Sequence, residues 1–391
     1  MTNHHFVPQS LVGRQTELQQ VAQILRADGD LLIAGVAGSG RRTLVKWAAH
    51  EVGAKVLTID CLRATDGERF LQLWCASLLK AFAEPEEQAE ISLLLEGTPV
   101  SLSQEVGQKT VSCNVGANYR EANYKDSGEP NVLLWQANSP QSLWQIFQLV
   151  LGLPQKLAEQ HGYRVVVVLH NFTHIRSWDR KGLWEGYLRQ EIKQQSCVSY
   201  ALIATVTEPW MEDLSLEVMV LAPIPDPQIT QWVEQTLAQV NLMLTPEALG
   251  IFLQYIQGNV SDGITLMRRI WLHYQATCAV VDPLSPRMHQ IITATAVHTS
   301  MLALLEDLSP TFESLVMLLP PSQVRVLESL AIDPTISPHS REYIQKHQLS
   351  KGGSLQGALE SLEQKGLVYG AQYGYRIALP MLCFWLRNRL S

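Results

Sequence analysis

Three glycines, two arginines and a threonine lie close together between positions 35 and 43. The segment reads Gly35-Val-Ala-Gly38-Ser39-Gly40-Arg41-Arg42-Thr43, after an apolar run and before a stretch of helical periodicity. Glycines in this context let backbone N–H groups curl around a phosphate at a helix N-terminus, where the helix dipole also favours an anion. The pattern predicts a phosphate-binding loop. Its candidate contact residues are Gly35, Gly38, Ser39, Gly40, Arg41, Arg42 and Thr43.

The loop departs from the usual pattern at two positions. A lysine is expected where Arg41 stands, to reach the β- and γ-phosphates, and a serine or threonine is expected at Arg42, to bind Mg²⁺. Arginine keeps the charge, but its planar fork is wider than a compact ammonium. Arg42 puts a cation where a metal ligand should be. The loop is therefore predicted to favour an anion and to lack its usual Mg²⁺ ligand.

Two other interpretations of the loop stay open. In a shifted register Arg42 would take the lysine role and Thr43 would hold the metal, which places an extra residue inside a loop of fixed geometry. Alternatively, the segment is a glycine-rich strand-to-helix turn that binds nothing.

A second metal-site element should be an apolar strand that ends in Asp, often followed by Glu, because these acids bind Mg²⁺ and activate water. The run 163–169 fits the strand, but it ends in His170-Asn171. A neutral imidazole and an amide supply neither the negative charge nor a carboxylate base. The sequence therefore favours a chain that is not an efficient enzyme, with His170 and Asn171 as degenerate catalytic positions. The substitute acids are Asp60, Asp179 and Glu185, whose spacing does not favour them.

Five short apolar runs, each ended by a turn or polar residue, are typical of buried parallel strands. Helical patterns at 42–52, 67–82, 140–160 and 183–195 alternate with them, which predicts a three-layer, doubly wound α/β sheet. The predicted strands are Leu31–Gly35, Lys55–Asp60, Arg164–His170, Tyr200–Val206 and Glu217–Leu221.

Changes of pattern divide the chain into three predicted domains. Residues 1–222 form a nucleotide-binding domain, interrupted at 84–138 by a polar insertion that begins with a glutamate run. The prolines of Pro223-Ile-Pro-Asp-Pro227 mark a boundary, after which 223–319 is helical. Residues 320–391 carry helices at 323–331, 340–347 and 355–365 and then two short strands at 366–369 and 373–378, a pattern typical of a winged helix.

Composition bounds the function. The formal net charge of −7 and the pI near 5.9 argue against broad binding to nucleic acid. Six scattered cysteines have no CxxC spacing and predict neither a zinc site nor a disulfide framework. There is no signal-peptide pattern and no run of about 20 apolar residues, so we expect a cytoplasmic protein without membrane contact.

The segment Leu11-Val12-Gly13-Arg14-Gln-Thr-Glu17-Leu18 is similar to the N-terminal "VGR…EL" box of the STAND branch of AAA+ ATPases, in particular the prokaryotic ATPases with a C-terminal winged helix. The resemblance covers nearly all of the chain except 84–138. It implies a P-loop fold with sheet order 5-1-4-3-2, a helical lid and a winged helix-turn-helix. It also implies that ATP or ADP binds, with Val12, Gly13 and Arg14 against the adenine, whereas the missing ligands do not favour Mg²⁺.

Further matches concern the rest of the family pattern. The strand that ends near Thr205 and Thr207 falls where relatives keep a polar sensor of the γ-phosphate, and either threonine could serve, with Thr205 as the candidate site residue and a simple strand-forming role as the alternative. Gly258-Asn259-Val260 resembles a glycine-asparagine-proline turn but lacks the proline. The ending Leu379-Pro380 with Phe384-Trp385-Leu386 resembles "DP…F…WL" without its aspartate.

The resemblance and the degraded motifs together suggest a pseudo-ATPase that acts as a regulatory or protein-interaction module and binds nucleotide without efficient hydrolysis. Protein partners or self-association are expected. The candidates for a partner surface are Trp135, Trp144, Trp178, Trp184 and Trp210, with core packing favoured for at least Trp144 and Trp184. One alternative is a slow but active ATPase switch. Another is a DNA-binding regulator, which is not favoured because the predicted recognition helix 354–365 carries two acids and one base.

Overall fold

The computed structural model describes Phe6, Pro8 and residues 11–104, 131–135, 140–207, 216–281 and 290–390. Among the described residues, no helix has the length and apolar character needed to cross a bilayer. The helices are α1 Gln15–Arg26, α2 Arg41–Glu51, α3 Gly67–Ala81, α4 Pro85–Leu94, α5 Pro140–His161, α6 Leu183–Gln194, α7 Asp226–Ala238, α8 Pro246–Ile256, α9 Val260–Val281, α10 Ala294–Met317, α11 Pro321–Ile332, α12 Arg341–Lys346, α13 Gly353–Gln364 and α14 Pro380–Leu390. The strands are β1 Leu31–Ala34, β2 Lys55–Asp60, β3 Val100–Gln104, β4 Asn131–Trp135, β5 Val165–His170, β6 Val198–Ala204, β7 Glu217–Val220, β8 Leu242–Leu244, β9 Gln290–Ile292, β10 Val368–Tyr369 and β11 Arg376–Ile377.

The five predicted strands form one parallel sheet in the order β2-β5-β6-β1-β7. Numbered among themselves along the chain, these strands have the order 5-1-4-3-2, so the predicted topology is confirmed. Strands β1, β5 and β6 are buried at every residue, which explains their unbroken apolar runs. The pairing of β2 with β5 sets Asp60 opposite His170 at the carboxyl ends of the two strands.

The chain divides into two compact units. Unit 1 comprises residues 1–21, 32–48 and 203–391, and it contains the glycine loop and the C-terminal half. Unit 2 comprises residues 22–31 and 49–202. The three domain boundaries drawn from the sequence stay a prediction.

Within unit 1, the C-terminal helices share one apolar core. Helices α11 and α13 pack together, and β10 pairs with β11 in an antiparallel hairpin, so the predicted winged-helix elements are present. The last helix, α14, packs against α8, α10 and α11. The parallel pair of β8 and β9 was not predicted, since three-residue strands are too short to show a period.

Unit 2 contains part of the segment 84–138. Its glutamate run begins helix α4: Glu84 precedes Pro85, and the carboxylate of Glu87 accepts from the Glu84 N–H at 3.2 Å. Acids in a first turn suit the positive end of the helix dipole. Strands β3 and β4 form an antiparallel pair, and residues 105–130 lie outside the described residues.

An aromatic cluster in unit 2 combines three buried rings with four half-buried ones. Phe147 and Trp184 have ring centroids 4.2 Å apart, and Trp144 lies 5.9 Å from Trp184. Both tryptophans are half-buried and pack against the buried Phe147. Trp210 lies outside the described residues. The members of the cluster are Phe70, Trp74, Trp144, Phe147, Trp178, Trp184 and Tyr187.

The carboxylate of Asp30 gives unit 2 a predicted pH dependence. It accepts from the Tyr200 N–H at 2.7 Å, and burial raises its pKa from 3.8 to about 7, against the opposing effect of that hydrogen bond. Between these values the folded state binds more protons than the unfolded state, so stability falls as the pH rises through the window. We expect the Asp30→Asn variant to lose this term, roughly 2–4 kcal/mol between pH 4 and pH 8.

Urea unfolding of wild type and variant at several pH values measures the term. The matched control is Glu68→Gln, which removes an exposed carboxylate of the same unit. Parallel pH profiles for the wild type and Asp30→Asn would contradict the assignment.

Candidate functional site

The glycine loop leads from β1 into the N-terminus of α2. Gly38 and Gly40 have φ of +83° and +88°, and the Leu44 N–H donates to Gly40 O at 2.9 Å as the helix begins. At Gly38 a side chain is excluded for a second reason: a Cβ would lie 2.8 Å from Asn259 Nδ2 and closer still to Asn259 Oδ1. The loop thus sets its glycines at a helix N-terminus, the geometry that phosphate binding uses.

Arg41 does not extend away from the loop. Its guanidinium donates to the carbonyl of Ala204, the last residue of β6. Burial, followed by the neighbouring charge of Arg42, lowers the pKa of Arg41 to about 10, so the group remains a cation at neutral pH. The side chains of Arg42 and Thr43 are exposed. The loop therefore offers positive charge, and the cation of Arg41 is held by β6.

Ser39 is buried beside residues from the winged helix. The residue is 5% exposed, and its Oγ has no hydrogen-bond partner among the residues that the structure describes. It lines a cavity of about 10 Å³ together with Asn259, Tyr369 and Arg376, a volume that suits about one water molecule. Within the described part of the chain, the Nε of Arg376 also lacks a hydrogen-bond partner, and the guanidinium stacks 5.0 Å from the centre of the Tyr369 ring. In this arrangement the space at Ser39 is too small for a nucleotide.

Arg14 connects the N-terminal segment 11–18 to the loop by hydrogen bonds. Its φ is +60° and the residue is 4% exposed. Its Nε donates to Ser39 O at 3.1 Å, another nitrogen donates to Ala222 O, and a third forms an ion pair with Glu17 at 2.9 Å. The guanidinium therefore binds two backbone carbonyls and one carboxylate of unit 1.

Val12 and Gly13, the other two candidate adenine contacts, pack inside unit 1. Val12 is buried in the apolar core of unit 1. Gly13 has φ of +61°, and a Cβ there would lie 3.3 Å from a methyl group of Ile224. These positions make the box an element that holds the loop, and its contact with adenine stays a prediction from the resemblance.

Thr205 lies directly after β6, beside the start of the loop. Its carbonyl accepts from the Gly35 N–H at 3.2 Å, and its methyl group lies 2.8 Å from where a Cβ of Gly366 would be. Thr205 also lines a cavity of about 420 Å³, which Gly35, Glu360 and Glu363 help to form. The candidate phosphate sensor therefore contacts the turn that follows α13.

His170 and Asn171 are described within unit 2. His170 is buried at the end of β5. Asn171 takes a left-handed conformation, with φ of +53°, and its amide donates to Asp60 Oδ1 at 3.0 Å. In the part of the chain that the structure describes, no three His, Cys, Asp or Glu side chains gather in a way that could hold a metal ion. The residue types at these positions do not fit a Mg²⁺ site.

Two of the substitute acids named above have structural partners. Asp179 accepts from the backbone N–H groups of residues 183–185, at 2.9 to 3.1 Å, and so caps α6. Glu185 accepts two hydrogen bonds of 2.8 Å from Arg176 and another from Arg189. Burial alone would raise the pKa of Glu185, but the two arginines lower it below its ordinary value. Neither carboxylate is arranged as a general base.

Replacing Glu185 by Gln should destabilise unit 2 by about 2–3 kcal/mol. A neutral amide at this buried position cannot balance the positive charges of Arg176 and Arg189, and it accepts fewer of their hydrogen bonds. Chemical unfolding measures the loss. Glu191→Gln is a control on the same helix. Equal midpoints for Glu185→Gln and the wild type would show that the arginines do not depend on this carboxylate.

Several contacts at the loop were missed because the two partners are distant in sequence. Arg41 meets Ala204 across 163 positions, and Asn259 meets Ala37 across 222. Asn259 was singled out only through the resemblance, and Tyr369 carried no signal in the sequence. Arg376 lies in the second predicted strand of the winged helix, and its residue type alone indicates no relation to the loop.

Comparisons with known proteins add to this geometry. Residues 310–388 match the model of a probable winged helix domain. No curated protein matches the chain. A Walker-type ATPase of Pyrococcus abyssi is similar in structure, with a TM-score of 0.62 and 13% identity over 96% of each chain.

Two weaker structural similarities involve proteins of Aeropyrum pernix. ORC1, solved in complex with DNA, has a TM-score of 0.48 at 13% identity, over 100% of this chain and 98% of that one. ORC2, solved with ADPNP and ADP, has a TM-score of 0.49 at 14% identity, over 99% and 98%.

The sheet order, the glycine loop after the first strand and the similarity to the Pyrococcus abyssi ATPase agree with one another. At 13% identity this similarity establishes the fold. The chain therefore has the AAA+ P-loop ATPase fold with a C-terminal winged helix.

Proposed function

We propose that this chain is a regulatory module that holds ATP or ADP at its glycine loop without efficient hydrolysis. The observation that carries the proposal is the chemistry of the loop. Arg41 and Arg42 follow the glycines at the start of α2, while β5 ends in His170 and Asn171. This donor set suits a phosphate anion and does not suit Mg²⁺.

The groups that would hold the phosphates belong to the loop. Backbone N–H groups at the start of α2 would donate to them, and the buried Ser39 hydroxyl, which has no partner in the described ranges, could donate as well. The Arg41 cation would have to leave Ala204 O or share it. The phosphates of a bound nucleotide would accept hydrogen bonds from these donors and balance the positive charge of Arg41. The small cavity at Ser39 would have to open to admit them.

Hydrolysis requires more than binding. Phosphoryl transfer depends on positioned water and on charge neutralisation by Mg²⁺ and its ligands. The chain has arginine at the expected metal-ligand position of the loop and no acid at the end of β5. We therefore expect turnover to be many orders of magnitude below that of an intact site.

The winged helix supports an intramolecular or protein-binding role. Helix α13 directs Glu360 and Glu363 to the cavity that Gly35 and Thr205 also line, and burial followed by the charge of Glu360 raises the pKa of Glu363. Acids on this helix repel DNA phosphates. We propose that the module acts on a protein partner or on a second copy, as the STAND resemblance suggests, and salt-dependent binding to duplex DNA would overturn this choice.

A slow ATPase is the second candidate, and one observation favours it. The carboxylate of Asp60 lies 3.0 Å from the Asn171 amide, at the carboxyl end of the strand next to β5. Asp60 could supply the missing acid there. Any Mg²⁺-dependent phosphate release should then be lost in Asp60→Asn.

Calorimetric titration of the purified chain with ATP and with ADP, in Mg²⁺ and in EDTA, tests nucleotide binding. The proposal predicts binding of both nucleotides with affinities that change less than about threefold with Mg²⁺. Absence of binding under all four conditions would show that the loop does not hold a nucleotide and would contradict the proposal.

A further inference from the structure

Asn259 links the glycine loop to the helix that follows it. The residue is 7% exposed and comes just before α9. Its Nδ2 donates to Ala37 O at 3.1 Å, and its Oδ1 accepts from the Asp262 N–H at 3.2 Å. One carboxamide therefore caps α9 and binds the loop at the same time.

Asn259 also packs directly against Gly38 of the loop. Gly38 leaves room for the carboxamide, because a Cβ at Gly38 would lie 2.8 Å from both Cγ and Nδ2 of Asn259. The chain before Asn259 is fixed as well: Gly258 has φ of +78°, and its carbonyl accepts from the Ile224 N–H at 3.2 Å. The carboxamide is thus held against the loop by backbone on both sides.

Asp262 continues this path to the last helix. Its carboxylate lies close enough to the backbone N–H of Met381 for that group to donate to one oxygen, while Oδ2 has no partner among the described residues. Helix α14 begins at Pro380, which has no N–H, so Met381 carries the first donor of the helix. Asp262 therefore caps α14, and hydrogen bonds connect Ala37, Asn259, Asp262 and Met381 in sequence.

We infer that Asn259 competes with a phosphoryl group for the glycine loop, and that its displacement is passed to α14 through Asp262. An anion in the loop would meet Asn259 Oδ1, which carries partial negative charge. Moving the carboxamide removes the cap from α9, where Asp262 lies. The inference rests on the proposed function for the identity of the competing ligand, a nucleotide phosphate.

Helix α14 is well placed to act as the output. It packs against α8, α10 and α11, and Pro380 at its start lines the small cavity with Ser39 and Arg376. A change in its first turn therefore affects the contact of the winged helix with the loop. The relay sets the closed arrangement when the loop holds no anion and weakens it when a phosphate binds.

Backbone amide exchange, measured without nucleotide, tests the relay separately from nucleotide binding. The variants are Asn259→Ala and Asp262→Ala, and the controls are Gln239→Ala and Asp226→Ala, which alter exposed side chains of the same unit. We expect Asn259→Ala and Asp262→Ala to speed exchange in the first turn of α14 by about three- to tenfold. The controls should match the wild type.

The same variants test the competition by ATP titration. Asn259→Ala should bind ATP about three- to tenfold more tightly than the wild type. Weaker binding would make Asn259 a ligand of the nucleotide and overturn the competition. Unchanged exchange at α14 in Asn259→Ala would overturn the relay whether or not ATP binds. Faster exchange at α14 without any ATP binding would support the relay and contradict the proposed function.

Discussion

Arg41→Ala should bind ATP at least about 30-fold more weakly than the wild type. The guanidinium is the partly buried cation at the start of α2, and its pKa of about 10 keeps it charged at neutral pH. Truncation removes this charge from the loop and leaves Ala204 O without its donor. Calorimetric titration measures the loss of affinity, and Arg41→Lys should retain most of the binding because it keeps the cation.

Lys46→Ala is the matched control, since it removes an exposed cation from the same helix. Its affinity for ATP should equal that of the wild type. Equal affinities for Arg41→Ala and Lys46→Ala would show that the loop does not use this arginine and would contradict the assignment of the site.

Phe70→Ala should lower the free energy of unfolding by about 3–5 kcal/mol. The ring is fully buried, and its centroid lies 6.0 to 6.3 Å from those of Trp74, Phe147, Trp178 and Trp184. Its loss leaves a cavity and removes several aromatic pairs at once. Chemical unfolding followed by near-UV circular dichroism reports directly on these tryptophans.

Leu93→Ala provides a control in the same unit, because this side chain is 59% exposed and its truncation should cost little. If Phe70→Ala unfolds at the same denaturant concentration as Leu93→Ala, the aromatic residues do not form a core. A partner surface would then become the better explanation for the tryptophans of this region.

The α/β sheet could be predicted because its signals are local. Strands β1, β5 and β6 are buried on both faces, so each appears as an unbroken apolar run, and the helices between them keep their own periodicity. The predicted and observed bounds of β2 agree at both ends. The winged-helix hairpin was predictable for a similar reason, since its strands flank a turn rich in glycine.

The contacts that hold the loop could not be predicted, because they join segments that are distant in sequence. Nothing near Arg41 indicates that its partner is the carbonyl of Ala204. Backbone carbonyls carry no sequence signal, and the approach of Arg376 to Ser39 depends on how the winged helix packs in unit 1. Similarly, Asp262 has no recognisable motif, and its role follows from the position of Met381.

The structure also changes how the degraded motifs are understood. Arg14, Arg41 and Asn259 each bind a backbone carbonyl of the loop or of the segments beside it. Residues that the sequence motifs and the resemblance relate to nucleotide binding therefore hold the loop and its neighbouring segments together by hydrogen bonds. This agrees with a module in which nucleotide binding, rather than hydrolysis, is the regulated step.

Single-turnover phosphate release tests the central claim most directly. The purified chain, in excess over radiolabelled ATP, is incubated with Mg²⁺ and with EDTA for several hours. We expect release to equal that of a protein-free blank in both conditions, while ATP is retained by the protein. Mg²⁺-dependent release that disappears in Arg41→Ala would contradict the claim and establish a working ATPase.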